Sequence, residues 1–167
     1  MKVYLGTDHA GFALKEKVKT FLIEKGYEVE DCGAFSLDKE DDYPDFIGKA
    51  AEKVSQNKND FGIVIGGSGQ GEAMVANKYK NIRCALFYAP AIPPGSIDAE
   101  GKMSQDPFEM LSLTRAHNDS NMLSLGARFL TEDQACQATL RFLTSPFSNQ
   151  ERHKRRIEKI SEIEGSK

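Results

Sequence analysis

Strand-like and helix-like segments alternate along this chain, and that alternation constrains its fold more than any other feature. "KVYLG" is a short β-prone run that ends at Gly6 and the turn-forming pair Thr7 and Asp8. Leu14, Val18, Phe21 and Leu22 then recur at i, i+4, i+7 and i+8, which predicts a helix from Phe12 to Lys25 with Gly26 as its stop. "YEVEDCG" alternates like a strand, and Phe46, Ala50 and Val54 mark a helical face in "DYPDFIGKAAEKVSQNK". "FGIVIGG" is a continuous β-branched run of the kind buried on both faces of a parallel sheet. "GEAMVANKY" reads as a helix, "IRCALFY" as another buried strand and "NMLSLG" as one more. A helix from Thr131 to Phe142 has Thr131 as its cap and Asp133 in its first turn. The closing stretch "NQERHKRRIEKISEIEGSK" predicts a charged helix at about 149–164, with a thin apolar stripe at Ile157, Ile160 and Ile163. Such repetition predicts an α/β fold, a doubly wound parallel sheet with helices on both faces. Ligands of these folds sit at the carboxyl ends of the strands, which singles out the loops "GTDHAG" and "GGSGQGE".

A chain of 167 residues, 40% of them hydrophobic, suits one domain with a sizeable core. The net charge of −3 argues against nucleic acid or an anionic membrane as a partner. No run is long enough to span a bilayer, and "MKVYLGTDHAG" has too few apolar residues for a signal peptide. Cys32, Cys84 and Cys136 form no CxxC pair and no metal-type spacing. They read as reduced, mostly buried thiols of a cytoplasmic protein. Residues 88–110 break the pattern, with four of the six prolines and no period. A loop of that length inside a compact domain is usually functional or partly disordered.

The stretch "GIVIGGSGQGEAMVANK" concentrates five glycines between a strand and a helix and then adds a carboxylate, Glu72. Glycines there let backbone N–H groups form a concave anion-binding nest, helped by the free N–H groups of the helix behind it. The plainer reading is a tight strand-to-helix turn, with Glu72 favoured by the helix dipole. A P-loop would need Gly-Lys-Ser/Thr where Gly71 is followed by Glu72. The dinucleotide fingerprint would need glycine where Glu72 stands. A glutamate at the mouth of a nest suits a site where negative charge appears only during reaction. That describes proton abstraction beside a carbonyl, with backbone donors stabilising the enediolate oxygen. The helix dipole would lower the pKa of Glu72 and enclosure would raise it, and the sequence leaves the balance open.

His9 lies beside Asp8 in the first ligand-facing loop, His117 lies in "RAHNDSN" and His153 in "ERHKRR". Arg152 and Arg156, spaced i, i+4 with Arg155 nearby, could clamp a phosphate or carboxylate, or simply form a solvated basic face.

The segments "VYLGTDHAGFALKEKV", "EVEDCGA", "DDYPDF", "GIVIGGSGQGEAMVANK", "IRCAL", "RAHNDSNMLSLGAR" and "ERHKRRIEKI" follow one another in a telling order. By them the chain resembles the ribose-5-phosphate isomerase B family, which includes galactose-6-phosphate and allose-6-phosphate isomerases. The resemblance covers nearly the whole chain except residues 88 to about 110. It implies a five-stranded, Rossmann-like subunit forming a homodimer or homotetramer, with each active site shared between two subunits. It also implies aldose–ketose interconversion of a sugar phosphate in the pentose phosphate pathway, without metal or organic cofactor. One branch of the family has a cysteine at the position of Gly66; the other uses the glutamate matching Glu72, and this chain resembles the second. Glu72 then matches the base moving a proton between C1 and C2. Gly67, Ser68, Gly69, Gln70 and Gly71 match the anion hole, with Ser68 near the C1 oxygen. His117 matches the ring-opening residue. Asp8, Tyr43 and Asn118 match contacts to sugar hydroxyls and the ring oxygen, and His9, Arg128, Arg152 and Arg156 the phosphate pocket. The inserted segment is expected to border the site, because it feeds the element carrying His117 and Asn118.

Ribose 5-phosphate is the first expectation for the substrate. A hexose 6-phosphate or tetrose phosphate would need the same base and nest. A non-catalytic sugar-phosphate-binding regulator has no use for Glu72, and a nucleotide-binding module conflicts with its position.

Overall fold

The computed structural model describes residues 1–165. In chain order it runs β1 (Lys2–Thr7), a 3-10 turn (His9–Gly11), α1 (Phe12–Glu24), β2 (Glu28–Asp31), α2 (Tyr43–Gln56) and β3 (Phe61–Gly66). There follow α3 (Gln70–Ala76), β4 (Cys84–Phe87), α4 (Glu109–Asn118), β5 (Met122–Gly126), α5 (Glu132–Thr144) and α6 (Glu151–Gly165). The five strands are all parallel, in the order β2-β1-β3-β5-β4. The alternation seen in the sequence is therefore a doubly wound sheet.

Strand periodicity divides the core in two. Val3, Leu5, Ile63, Ile65, Leu123 and Leu125 pack on α1, α4 and α5 through Val18, Leu22, Leu111, Ala138 and Phe142. Val64 and Met122 point the other way, onto Ile47, Ala50, Ala51 and Val54 of α2 and Ala76 of α3. Thr131 caps α5 as expected, with reciprocal bonds between Thr131 and Gln134. The winding reverses between β1 and β3, so a crevice opens at their carboxyl ends. Beside it, the fully buried Lys15 holds both Asp31 oxygens at 2.7 Å and the Ala34 carbonyl at 2.7 Å, while Ala34 N–H donates to the Thr7 carbonyl.

Several local expectations need correction. β4 is an edge strand with only Phe87 buried, since an apolar run does not reveal whether the sheet continues beyond it. The buried stripe of α2 is Ile47, Gly48, Ala50, Ala51 and Val54, and Phe46 turns instead toward Gly33. Of the three free thiols only Cys32 is buried, with Cys84 and Cys136 half-buried. Burial pushes all three above the ordinary thiol value, Cys32 to about 11, so none is an activated nucleophile.

Between β4 and α4, residues 88–108 form no helix or strand. Along α6 only His153 is buried, and Ile160 and Ile163 are exposed. Ser166 and Lys167, the end of the expected helix, lie outside the described residues. Among the described residues no helix is long and apolar enough to cross a membrane.

Candidate active site

Ten of the residues singled out in the sequence meet at the carboxyl ends of β1, β3 and β5. Asp8 follows β1, is buried, and caps the 3-10 turn by accepting the Ala10 N–H at 2.9 Å. His9 comes next, donating its backbone N–H to Asp41 Oδ1 at 3.0 Å and placing Nδ1 2.6 Å from the same oxygen. Tyr43 begins α2 and lays its phenol over Gly71, where a Cβ would meet Oη at 2.8 Å. Gly69 has φ +75°, a left-handed conformation that favours glycine, and Ser124 Oγ donates to its carbonyl at 2.6 Å. Ser68 Oγ accepts the Gln70 N–H at 3.4 Å. Arg128 N–H donates to the Gly67 carbonyl at 3.0 Å and its guanidinium lies over Gly67. Glu72 sits in the first turn of α3, 5% exposed, with its carboxylate against Gly66. A Cβ on Gly66 would lie within 2.5 Å of both carboxylate oxygens.

Burial pushes the Glu72 carboxyl above its ordinary value. The Asp8 charge adds to the shift, while the residue's own backbone N–H and the Arg128 guanidinium pull the other way. Enclosure therefore wins the balance that the sequence leaves open, and Glu72 is a better proton acceptor than a free glutamate. The hydrogen bond to Asp41 raises the His9 pKa, with burial opposing it and Asp8 adding to it. Asp8, His9 and Asp41 also bring one potential metal-ligating atom each within 4.8 Å of one another. An ion bound there would have to replace the His9–Asp41 hydrogen bond.

Asp41 has no distinguishing signal in the sequence, being one acid in the run "DKEDDY". Its contact keeps His9 cationic to higher pH. With His9 in the phosphate pocket that the sequence resemblance implies, Asp41→Asn should raise KM for a phosphorylated substrate about 3- to 10-fold near pH 7.5, at nearly constant kcat. The difference should shrink near pH 6, where the imidazole is protonated in both proteins. A pH-independent difference in KM would assign Asp41 a purely structural role.

The other four residues lie elsewhere. α4 runs against the strands and delivers the chain to the amino end of β5, so His117 and Asn118 sit at the opposite end of the strands from Glu72. At roughly 3.3 Å per strand residue, the length of β3 alone puts on the order of 15 Å between them. The turn there is fixed by Arg115, buried over the rings of Phe61 and Phe142, whose Nη1 donates to Asp119 Oδ1 at 2.8 Å and Ser120 O at 2.6 Å. The His117 ring packs on that of His153 with centroids 4.4 Å apart. His153 is buried, with Nδ1 2.8 Å from Ser148 Oγ. Its support of His117 escapes a sequence reading that sees it only as part of a basic run. Arg152 adjoins this pair and the exposed Arg156 follows one turn later. The candidate residues thus fall into two groups at opposite ends of one sheet.

The architecture defines a doubly wound α/β protein with a buried carboxylate of raised proton affinity at the strand ends where such folds bind small molecules. Residues 3–93 and 105–160 match the model of a family described as Ribose/Galactose Isomerase, and the chain belongs to that family. It is 39% identical over 164 residues to ribose-5-phosphate isomerase B of Mycolicibacterium paratuberculosis, an alignment covering 98% of this chain and 92% of that one. Its structure is similar to that of ribose-5-phosphate isomerase B from Clostridium thermocellum, with a TM-score of 0.84, 37% identity and 99% of each chain covered. It is also similar to the enzyme of that name from Mycoplasma genitalium with bound ribulose 5-phosphate. That match has a TM-score of 0.85 and 33% identity over 99% of this chain and 97% of the other.

Proposed function

We propose that this chain interconverts ribose 5-phosphate and ribulose 5-phosphate through an enediolate, as a cytoplasmic homodimer with Glu72 as the base. The observation that carries the proposal is a carboxylate whose proton affinity is raised by burial, seated against the glycine loop of a family whose relatives are named for this reaction. With the sugar ring opened by His117, Glu72 takes the proton from C2 and returns it to C1, while the proton of the C2 hydroxyl passes to the C1 oxygen. Between the two transfers, negative charge spreads over the C1 and C2 oxygens. The backbone N–H groups of Gly67, Ser68, Gly69, Gln70 and Gly71 meet that charge, with Ser68 nearest the C1 oxygen. Asp8, Tyr43 and Asn118 hold sugar hydroxyls and the ring oxygen. His9, Arg128, Arg152 and Arg156 hold the phosphate.

Two half-sites separated by the sheet supply one site only if they come from different subunits. A two-fold dimer brings each into register with its complement. Mixing inactive Glu72→Gln chains with inactive His117→Asn chains should then restore activity to about a quarter of wild type. Half the dimers are heterodimers, and each of those has one intact site. No recovery after verified subunit exchange would place every catalytic residue within one chain.

The substrate is tested by kcat/KM for ribose 5-phosphate, allose 6-phosphate and galactose 6-phosphate in parallel. Ribose 5-phosphate should be preferred by at least about 10-fold, since an added carbon must be accommodated between two fixed ends of the site. A higher value for a hexose phosphate would keep the chemistry and overturn the pentose assignment.

A further inference from the structure

We propose that residues 94–104 set the affinity of the active site for phosphate, with Glu100 acting as an internal counter-ion on Arg152. This rests on the reading of Arg152 as a phosphate ligand. These residues are the internal stretch left out of the family match, which covers 3–93 and resumes at 105. Their neck is closed by the Ala91 N–H donating to the Pro107 carbonyl at 2.8 Å and by Ser104 Oγ donating to Glu109 Oε2 at 2.6 Å. The tip is a tight turn in which the Ile97 N–H donates to the Lys102 carbonyl at 2.8 Å. There Asp98 Oδ1 accepts the N–H groups of Glu100 and Lys102.

The tip lies against α4 and the start of α6, where it lines an open cleft of about 250 Å³. One wall carries Asp98, Glu100 and Lys102 from the segment, and the other carries His117, Arg152 and His153. The segment thus borders the half-site that supplies the ring-opening histidine and one phosphate-clamping arginine.

The contact at the centre of this wall is loose. Glu100 Oε1 is 4.0 Å from Arg152 Nη1 and its side chain is 71% exposed, while Arg152 Nε is buried without a hydrogen-bond partner among the described residues. A guanidinium in that state has donors to spare. A phosphate dianion making short charge-assisted bonds outcompetes one distant carboxylate. Binding must nevertheless displace Glu100 and bring two negative charges near a third and fourth on Glu100 and Asp98. Exposed ion pairs of this kind change affinity by up to about fivefold.

Glu100→Gln and a chain in which two glycines replace residues 95–103 test the idea. Both are measured for KM and kcat with ribose 5-phosphate and, by calorimetry, for binding of inorganic phosphate. Glu100→Gln should lower KM and the phosphate dissociation constant together, about two- to fivefold, with kcat unchanged; the shortened chain should do at least as much. Unchanged or weakened phosphate binding in both variants would overturn the proposal. Calorimetry does not depend on turnover. Tighter phosphate in variants of a chain that isomerises none of the sugar phosphates would support the segment's role and end the isomerase reading. Turnover with unaltered phosphate binding would do the reverse.

Discussion

Glu72→Gln is expected to lower kcat for the conversion of ribose 5-phosphate by about 10²- to 10⁴-fold while leaving KM within a few-fold of wild type. The amide keeps the shape of the side chain but cannot accept the C2 proton. In the wild type, kcat/KM should rise with pH as the base ionises, through an apparent pKa above the ordinary glutamate value, because burial raises the Glu72 pKa. The same shift has a consequence for stability. A carboxyl whose folded pKa lies above its unfolded value favours the native state at pH below the unfolded value. That advantage is lost as pH rises through the folded value. Glu72→Gln should therefore melt at or above wild type at pH 7, with the difference closing near pH 4. A variant that is both inactive and clearly less stable at pH 7 would mark the carboxylate as structural.

Gly66→Ala should be almost as damaging to turnover and nearly silent in folding. The added Cβ would lie within 2.5 Å of both Glu72 oxygens, against 3.4 Å or more in ordinary contact, so the carboxylate must leave its seat. The backbone of Gly66 needs no left-handed conformation, and the obstructing atoms are the end of one flexible side chain. The protein should fold. A base displaced by an ångström costs about 10² in rate, so kcat should fall by at least that factor while Tm changes little. This close approach also gives a physical reason for the two branches that the sequence resemblance implies: a cysteine at position 66 and a glutamate at position 72 would compete for one volume. Full activity in Gly66→Ala would show that Glu72 does not work from the position seen here.

Periodicity made most of the fold legible. Val18 and Leu22 announce one side of α1, Val64 alternates with Ile63 and Ile65, and the Thr131 cap is visible three residues ahead of its partner Gln134. The glycine loop and Glu72 are legible because that combination suits few other chemistries. What stays hidden depends on contacts between distant segments. Nothing local joins His9 to Asp41 or His117 to His153. The order of motifs does not reveal that Glu72 and His117 occupy opposite ends of the sheet, because that follows from the direction in which α4 enters β5. The edge position of β4 is hidden for the same reason, since it is a property of strand order and not of apolarity. Residues 88–108 lack period because side chains such as Asp98 and Ser104 organise them, not a repeating backbone ladder.

The most direct test of Glu72 as the proton-transfer base is NMR of ribose 5-phosphate in deuterated water with wild type and Glu72→Gln, after binding of the substrate to both has been verified. Wild type should form ribulose 5-phosphate with solvent exchange of the proton moved from C2. Glu72→Gln should bind the sugar but exchange that proton and form ketose at least about 10²-fold more slowly. Exchange by Glu72→Gln at the wild-type rate would contradict the assignment and require another group at the carboxyl ends of the strands to move the proton.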